Sequence, residues 1–228
     1  MTLKSVTDPT TYHKISGPFK RGEDLRLLDI GNFVNPAVEL LASADIWLFT
    51  EKIDGTNVRL IWDGHNLSYN GRTNNADLHK DLRAKLDSLF IQPGVEEYFE
   101  ESFGEKEVIL IGEGYGAGIQ KGGGNYSPTK EFVGYDVLVN GKYLSYQDSR
   151  GIFARLHIPA LTSLNTYPTD LLQGIDLVAN GLYSGFGNRD FFAEGVVATT
   201  ERPLYDNNGQ RMIVKLKHDD LYDHPDLT

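Results

Sequence analysis

The chain has 228 residues, 40% of them hydrophobic and 11% aromatic, and a formal net charge of -10. That is enough apolar material for one large domain, or a domain with a small appendage, and the acidic balance excludes a protein that coats DNA over its whole surface. A local basic cleft stays open, because net charge says nothing about placement. There is no cysteine, so a disulfide framework and a thiolate zinc site are excluded, and the composition fits a reducing compartment. The six histidines are scattered and suggest no metal cluster. No apolar run has membrane-spanning length, and the opening MTLKSVTDPT lacks the apolar core of a signal peptide. A cytoplasmic protein without a membrane partner is expected.

Residues 1–44 are mixed. Tyr12-His13-Lys14-Ile15 and Gly17-Pro18-Phe19-Lys20-Arg21 form a small basic-aromatic stretch, which reads equally as a nucleic-acid contact or as ordinary surface. Apolar residues around Trp47 and Phe49 then lead into Glu51-Lys52-Ile53-Asp54-Gly55-Thr56-Asn57, and Val58, Leu60 and Ile61 follow. The pattern predicts a buried strand that delivers Lys52 to a glycine turn, with a second strand leaving it. Desolvation disfavours an ammonium, so a lysine in such a place can act as a neutral nucleophile. Lys-x-Asp-Gly alone reads as a hairpin turn with a surface lysine.

Asp63-Gly64 is a hairpin signal between strands at 58–62 and 67–69, closed by Gly71-Arg72-Thr73. Residues 76–90 predict an amphipathic helix with Leu78, Leu82, Leu86 and Leu89 on one face and Asn74 or Asn75 as the cap. A short helix is expected at 95–103, with Val95, Tyr98 and Phe99 inward and Glu96, Glu97, Glu100 and Glu101 solvated. A strand at 108–111 enters Gly112-Glu113-Gly114-Tyr115-Gly116. The glycine-rich run to Asn125 lacks the Gly-Lys-Ser/Thr ending of a phosphate loop and reads as a flexible loop. A strand at 132–139 turns at Asn140-Gly141 into 143–146, and helices are expected at 147–157 and 169–179. A strand at 192–199 carries Glu194-Gly195-Val196-Val197, and a turn at 206–209 leads to a last strand at 211–217. In that strand, alternation puts Met212, Val214 and Leu216 on one face and Ile213, Lys215 and Lys217 on the other. Two lysines beside an apolar residue read as a cleft wall or as a solvent face.

In order, the pieces are EKIDGTN, GRT, IGEGYGAGIQKGG, EFVGYDV, AEGVV and VKLK. The series resembles the motifs of the covalent nucleotidyltransferases, the superfamily of ATP-dependent ligases and mRNA capping enzymes. GEGYGAGIQK followed by FVGYDV is most similar to the RNA ligase 2 type of bacteriophage and kinetoplastid RNA ligases. The resemblance runs from about Tyr12 to Lys217. It implies an α+β fold: a single nucleotidyltransferase domain over 1–228, of the ATP-grasp-like ligase adenylation kind. Twisted antiparallel sheets are flanked by helices and ATP lies between the sheets. It implies a polynucleotide ligase that joins RNA or DNA ends bearing 5′-phosphate and 3′-hydroxyl, RNA foremost, in the host cytoplasm if the protein is phage-encoded.

The same resemblance implies the site. Lys52 carries AMP; Glu51 and Asn57 contact the nucleotide; Arg72 contacts ribose or the incoming phosphate. Glu113 contacts ribose or metal-bound water, Tyr135 stacks on adenine with Asp136 beside it, and Glu194 is the second acid. Lys215 and Lys217 bind the α-phosphate and offset charge on leaving pyrophosphate. Gln120 lies where the family has a glutamine important for end-joining. Asp54, Glu113 and Glu194 are the candidate Mg²⁺ ligands, since Mg²⁺ keeps several waters and needs few carboxylates. Thr199 stands where relatives often carry a lysine. The sequence ends eleven residues after Lys217, too few for an OB-fold or helical C-terminal domain there, which disfavours DNA ligase and capping-enzyme architectures. Few cations are placed to hold a phosphate backbone: Lys14, Lys20, Arg21, Arg72, Lys121 and the lysine pair. A minimal DNA ligase and a non-catalytic nucleotide- or nucleic-acid-binding module are the alternatives.

Overall fold

The computed structural model describes residues 12–23, 28–72, 78–187, 190–222 and 224–227. In chain order the elements are β1 (Phe19–Arg21), β2 (Leu28–Phe33), α1 (Pro36–Leu41), β3 (Trp47–Lys52), β4 (Thr56–Trp62) and β5 (Leu67–Asn70). Next come α2 (Lys80–Phe90), α3 (Val95–Phe103), β6 (Val108–Tyr115), α4 (Gly123–Tyr126), β7 (Glu131–Val139) and β8 (Lys142–Tyr143). The last are α5 (Tyr146–Arg155), α6 (Leu171–Ala179), β9 (Gly195–Thr200), β10 (Val214–Lys217) and α7 (His218–Leu221). The fold is mixed α and β, with antiparallel strand pairing throughout the named sheets. Contacts cluster into two compact units, each made of two chain segments. No helix among the described residues is long and apolar enough to cross a membrane.

The first unit comprises residues 1–13 and 54–161. Its sheet has the order β5-β4-β6-β7-β8. Alternation along β4 sends Val58, Leu60 and Trp62 into a core with Val108 and Leu110 of β6 and Phe132 and Val137 of β7. Leu82, Leu86 and Phe90 of α2, Val95 and Phe99 of α3 and Phe153 of α5 complete it. Each such side chain contributes about 1.5–3 kcal/mol by leaving water. The opposite parity carries Asn57, Arg59, Glu113 and Tyr135. The α2 helix begins at Lys80 and is capped by His79, whose ring nitrogen accepts from the Asp81 amide. Asn74 and Asn75, the expected caps, lie outside the described residues. The β8 strand is only two residues long, because Ser145 accepts from the Asp148 amide and starts α5 at Tyr146.

The second unit comprises residues 14–53 and 162–228. Its three-stranded sheet has the order β10-β9-β3. Trp47 and Phe49, Val196 and Ala198, and Val214 and Leu216 turn one face toward Leu171, Ile175 and Val178 of α6. Asp170 caps α6 by accepting from the Gln173 amide. The β1-β2 ribbon and α1 are elements that the mixed opening residues did not announce. The α1 start was nonetheless legible: Asn35 caps the helix and Pro36 takes its first position. The β9 strand starts at Gly195 rather than 192, and β10 at Val214 rather than 211. The short bridge between Tyr205 and Arg211 ends the turn that Asp206 organises.

Candidate active site

In the second unit, β9 runs between β3 and β10, and its first residue faces a lysine on each. Gly195 is opposite Lys52 on β3 and opposite Lys217 on β10. Its φ is +145°, and an added Cβ would lie 1.9 Å from the Leu216 carbonyl oxygen and 2.8 Å from the Lys217 Cα. Only glycine fits there. Glu194, one residue before the strand, is therefore delivered between the two lysines. Its Oε2 accepts from Lys52 Nζ at 2.6 Å and its Oε1 stands 3.3 Å from Lys217 Nζ. The His218 amide donates to the Glu194 carbonyl oxygen at 2.8 Å and anchors the backbone.

Lys215 stands two positions before Lys217, on the same strand face. Burial holds its ammonium below the usual lysine range; the charges of Lys52, Lys217 and Lys14 add to that, and Glu194 opposes it. The alternation reading holds over Val214–Lys217, where Val214 and Leu216 are buried and Lys215 and Lys217 are half-buried on the other face; Met212 and Ile213 precede the strand and are both buried. Lys52 does sit at the end of a buried strand, but β3 and β4 join different sheets, so the turn is not a hairpin. Thr199 is buried, and its hydroxyl accepts from Arg211 Nη2 at 3.2 Å, so a guanidinium reaches the place of the absent lysine.

Glu51 has the opposite parity to Lys52 and is 4% exposed. Its carboxylate accepts from the Ser184 hydroxyl at 2.5 Å and the Gly185 amide at 2.8 Å. Burial pushes its pKa up, and these two hydrogen bonds oppose the shift. Nothing in the sequence pointed to Ser184 or Gly185, which lie more than 130 positions away.

The first unit gathers the other predicted residues. Asn57 and Glu113 are opposite each other on β4 and β6. The pairing of β6 with β7 slips between Ile111 and Gly112, so Tyr135 is passed over between Gly134 and Asp136. This bulge re-aims the side chains next to it. Asn57 Nδ2 donates to the Tyr135 hydroxyl at 2.7 Å. Burial of that hydroxyl raises its pKa well above the usual tyrosine value, and the charges of Glu113 and Asp136 add to this. The residue as a whole is partly exposed.

Tyr12 donates to Asp136 Oδ2 at 2.9 Å, and the Arg72 Nε donates to the Tyr12 carbonyl at 3.4 Å. The opening aromatic stretch thus reaches the tyrosine-aspartate pair of β7. Arg59 is 1% exposed and donates to the Gly71 carbonyl, fixing the corner that carries Arg72. Arg59 was overlooked in the sequence, although two-residue alternation places it on the face of Asn57.

Asp54 and Gly55 form the turn after Lys52. A Cβ on Gly55 would lie 2.4 Å from the Gly114 carbonyl oxygen and 2.7 Å from the Glu113 Cγ. Gln120 Nε2 donates to the Gly55 carbonyl at 2.9 Å, and the Asp54 amide donates to the Tyr126 hydroxyl. The glycine-rich run is therefore not a flexible loop. It is a strap, tied internally from Ala117 to Ser127, Gly123 to Gln120 and Asn125 to Gly122, and it includes α4. Among the described residues no group of three or more His, Asp or Glu side chains comes together as a metal cage. Carboxylate oxygens are the donors that Mg²⁺ takes, and one or two suffice. Glu113 and Glu194 fit that donor chemistry.

The RNA ligase family model matches residues 45–217. The chain belongs to the RNA ligase family. No curated protein matches it. Solved structures of the Naegleria gruberi RNA ligase do. A ligand-free variant has a TM-score of 0.61 at 14% identity, covering 95% of this chain and 62% of that one. A variant with ATP and manganese has a TM-score of 0.61 at 13% identity, with 98% and 63% covered. The same ligase with pyrophosphate has a TM-score of 0.60 at 14% identity, with 92% and 60% covered. At these identities the likeness establishes the fold. The chain spans about 60–63% of the length of those proteins.

Proposed function

We propose that residues 1–228 act as one nucleotidyltransferase domain of an ATP-dependent RNA ligase that carries AMP on Lys52. The observation that supports this most is the Lys52–Glu194–Lys217 bridge, with Lys215 beside it, inside the segment that matches the RNA ligase family.

Lys52 would attack the α-phosphorus of ATP. A phosphorus–nitrogen bond forms, the bond to the β-phosphate bridging oxygen breaks, and pyrophosphate leaves. Lys215 and Lys217 would face the negative charge that develops there, and fixed cations of this kind lower a barrier because they need no reorganisation. A 5′-phosphate oxygen would then displace Lys52 from AMP, and a 3′-hydroxyl would displace AMP to seal the strand. Tyr135 would offer its ring to adenine, Asn57 and Glu113 would meet the nucleoside, and Arg72 would meet ribose or the incoming phosphate. Glu51 is the remaining expected nucleotide contact, and its carboxylate is held by Ser184 and Gly185. Glu113, Glu194 and Asp54 are the residues that would hold Mg²⁺, which would supply charge neutralisation at the phosphates. The bacteriophage-like branch is the one that GEGYGAGIQK and FVGYDV favour.

The test is incubation with ATP labelled at the α-phosphate and mass analysis of the protein. One AMP per chain is expected, and none in Lys52→Ala. Labelling that persists in Lys52→Ala would refute the nucleophile assignment.

A further inference from the structure

Lys215 and Lys217 also line a groove of about 330 Å³ in the second unit, to which the chemistry above gives no occupant. The segment that opens this unit forms another part of its lining. Ser16 makes a short parallel bridge with Val214, and the Lys215 amide donates to the Ser16 carbonyl at 3.0 Å. That pairing lays the segment along β10 and brings Lys14 near Lys215. The β1 strand then adds Lys20 and Arg21 to the lining.

Charge in this groove is unbalanced. Its cations are Lys14, Lys20, Arg21, Lys215 and Lys217, and Asp220 is the one acid among the described lining residues. Asp220 is committed to Arg21 at 2.6 Å, and Glu194 already serves both Lys52 and Lys217. Burial holds the Lys215 ammonium below the usual lysine range, and the charges of Lys52, Lys217 and Lys14 lower it further. Like charges held this close destabilise one another, and an anion that enters relieves the repulsion.

The density of charge selects the anion. A nucleic-acid strand carries one charge per phosphate, strung along its length. A terminal phosphoryl group carries about -1.5 to -2, and pyrophosphate joins two of them in one compact ion. Cations that converge on a small groove match the compact ion. The volume is also at the low end of small-molecule clefts, which run from roughly 300 to 1,000 Å³. Lys215 and Lys217 belong both to the groove and to the lysine cluster, so the groove begins where the bond to the leaving group would break.

We propose that this groove is a pyrophosphate site, in which Lys14 and Lys20 join Lys215 and Lys217 in holding the β- and γ-phosphates of ATP and then the released pyrophosphate. This rests on the RNA ligase reading of Lys52 and adds to it what holds the leaving group. Lys14 and Lys20 then serve ATP and not the nucleic-acid backbone.

The probe is inorganic pyrophosphate, titrated calorimetrically into the unmodified protein. Lys14→Gln combined with Lys20→Gln should weaken its binding about 10-fold or more, as for the loss of a charged hydrogen bond. Lys14→Arg with Lys20→Arg keeps both charges and should recover most of the affinity. Both lysines are exposed, so these variants should fold, and thermal unfolding checks that. The reverse of AMP transfer reads the same site. A pyrophosphate oxygen attacks the phosphorus of lysyl-AMP, the phosphorus–nitrogen bond breaks, ATP forms and the Lys52 amine takes up a proton. The glutamine variant should need about 10-fold more pyrophosphate for its half-maximal rate. Sealing of a pre-adenylylated strand involves no pyrophosphate and should keep its wild-type rate. Lys106→Gln removes an exposed charge from the other unit and should match the wild type in every assay. A wild type that binds pyrophosphate yet takes no AMP from ATP would sink the ligase reading and leave the site standing. Wild-type pyrophosphate affinity in the glutamine variant would overturn the site. So would an equal loss in sealing of the pre-adenylylated strand, which would make the groove a track for the nucleic-acid backbone.

Discussion

Glu194→Gln separates chemistry from structure. The carboxylate lies 2.6 Å from one ammonium and 3.3 Å from another, with side-chain exposures of 19% for Glu194, 25% for Lys52 and 31% for Lys217. At an effective dielectric of about 20, one charge pair at 2.6 Å is worth about 6 kcal/mol before desolvation is charged against it. The cost of drying the groups cancels most of that, and exposed pairs net only about 0–1 kcal/mol. The amide retains one acceptor oxygen of the same shape. The loss in folding stability should therefore be about 1–2 kcal/mol, typical of a charged hydrogen bond made neutral. For a chain of this size that lowers the melting midpoint by about 2–8 °C. The loss in AMP transfer should be larger, about 100-fold or more, as for a missing electrostatic group at a reacting centre. The assays are thermal unfolding and the initial rate of AMP incorporation at saturating ATP. A variant that is unfolded at room temperature would show that Glu194 is a structural clamp, and one with wild-type AMP transfer would show that it is a bystander.

Tyr135→Phe should leave ATP affinity nearly unchanged, because the ring face remains, but it strands the Asn57 amide and should cost about 1–3 kcal/mol of stability. A large drop in ATP affinity with unchanged stability would reverse that assignment. Gly195→Ala forces a Cβ to 1.9 Å from a backbone oxygen and should abolish AMP transfer or fail to fold, whereas Gly151→Ala, which meets nothing within 4 Å, should be silent. The Glu51 carboxyl has its pKa raised by burial, so the folded state holds that proton more tightly than the unfolded state. Its contribution is thus most favourable below the ordinary glutamate range and declines as pH rises through the raised value. Glu51→Gln should flatten stability from the ordinary glutamate range upward, measured as melting midpoint against pH, and an unchanged slope would refute the assignment.

What was legible follows from range. The hairpin at Asp63-Gly64, helix α3 and the inward face of β10 are set by neighbours within a few positions, and periodicity or a turn dipeptide announces them. The short opening strands and α1 are held by partners elsewhere in the chain, and their own residues carry no strong period. The candidate site is legible only as types in order. Lys52 and Glu194 are 142 positions apart, and no local property of either predicts a 2.6 Å contact. What joins them is the register of β9 between β3 and β10, and Gly195 admits the β10 backbone at the position that opposes both lysines. Gly195, beside Glu194, is a point of close approach. Its approach is to the Lys217 backbone, so its direct work is to bring a lysine, and not a ligand, against the acid. The same logic applies to the glycine-rich strap. Its composition suggested freedom, but Gln120 and Tyr126 tie it to the Asp54-Gly55 turn. A glycine there serves contact distance: a Cβ on Gly55 would meet the Gly114 carbonyl oxygen at 2.4 Å.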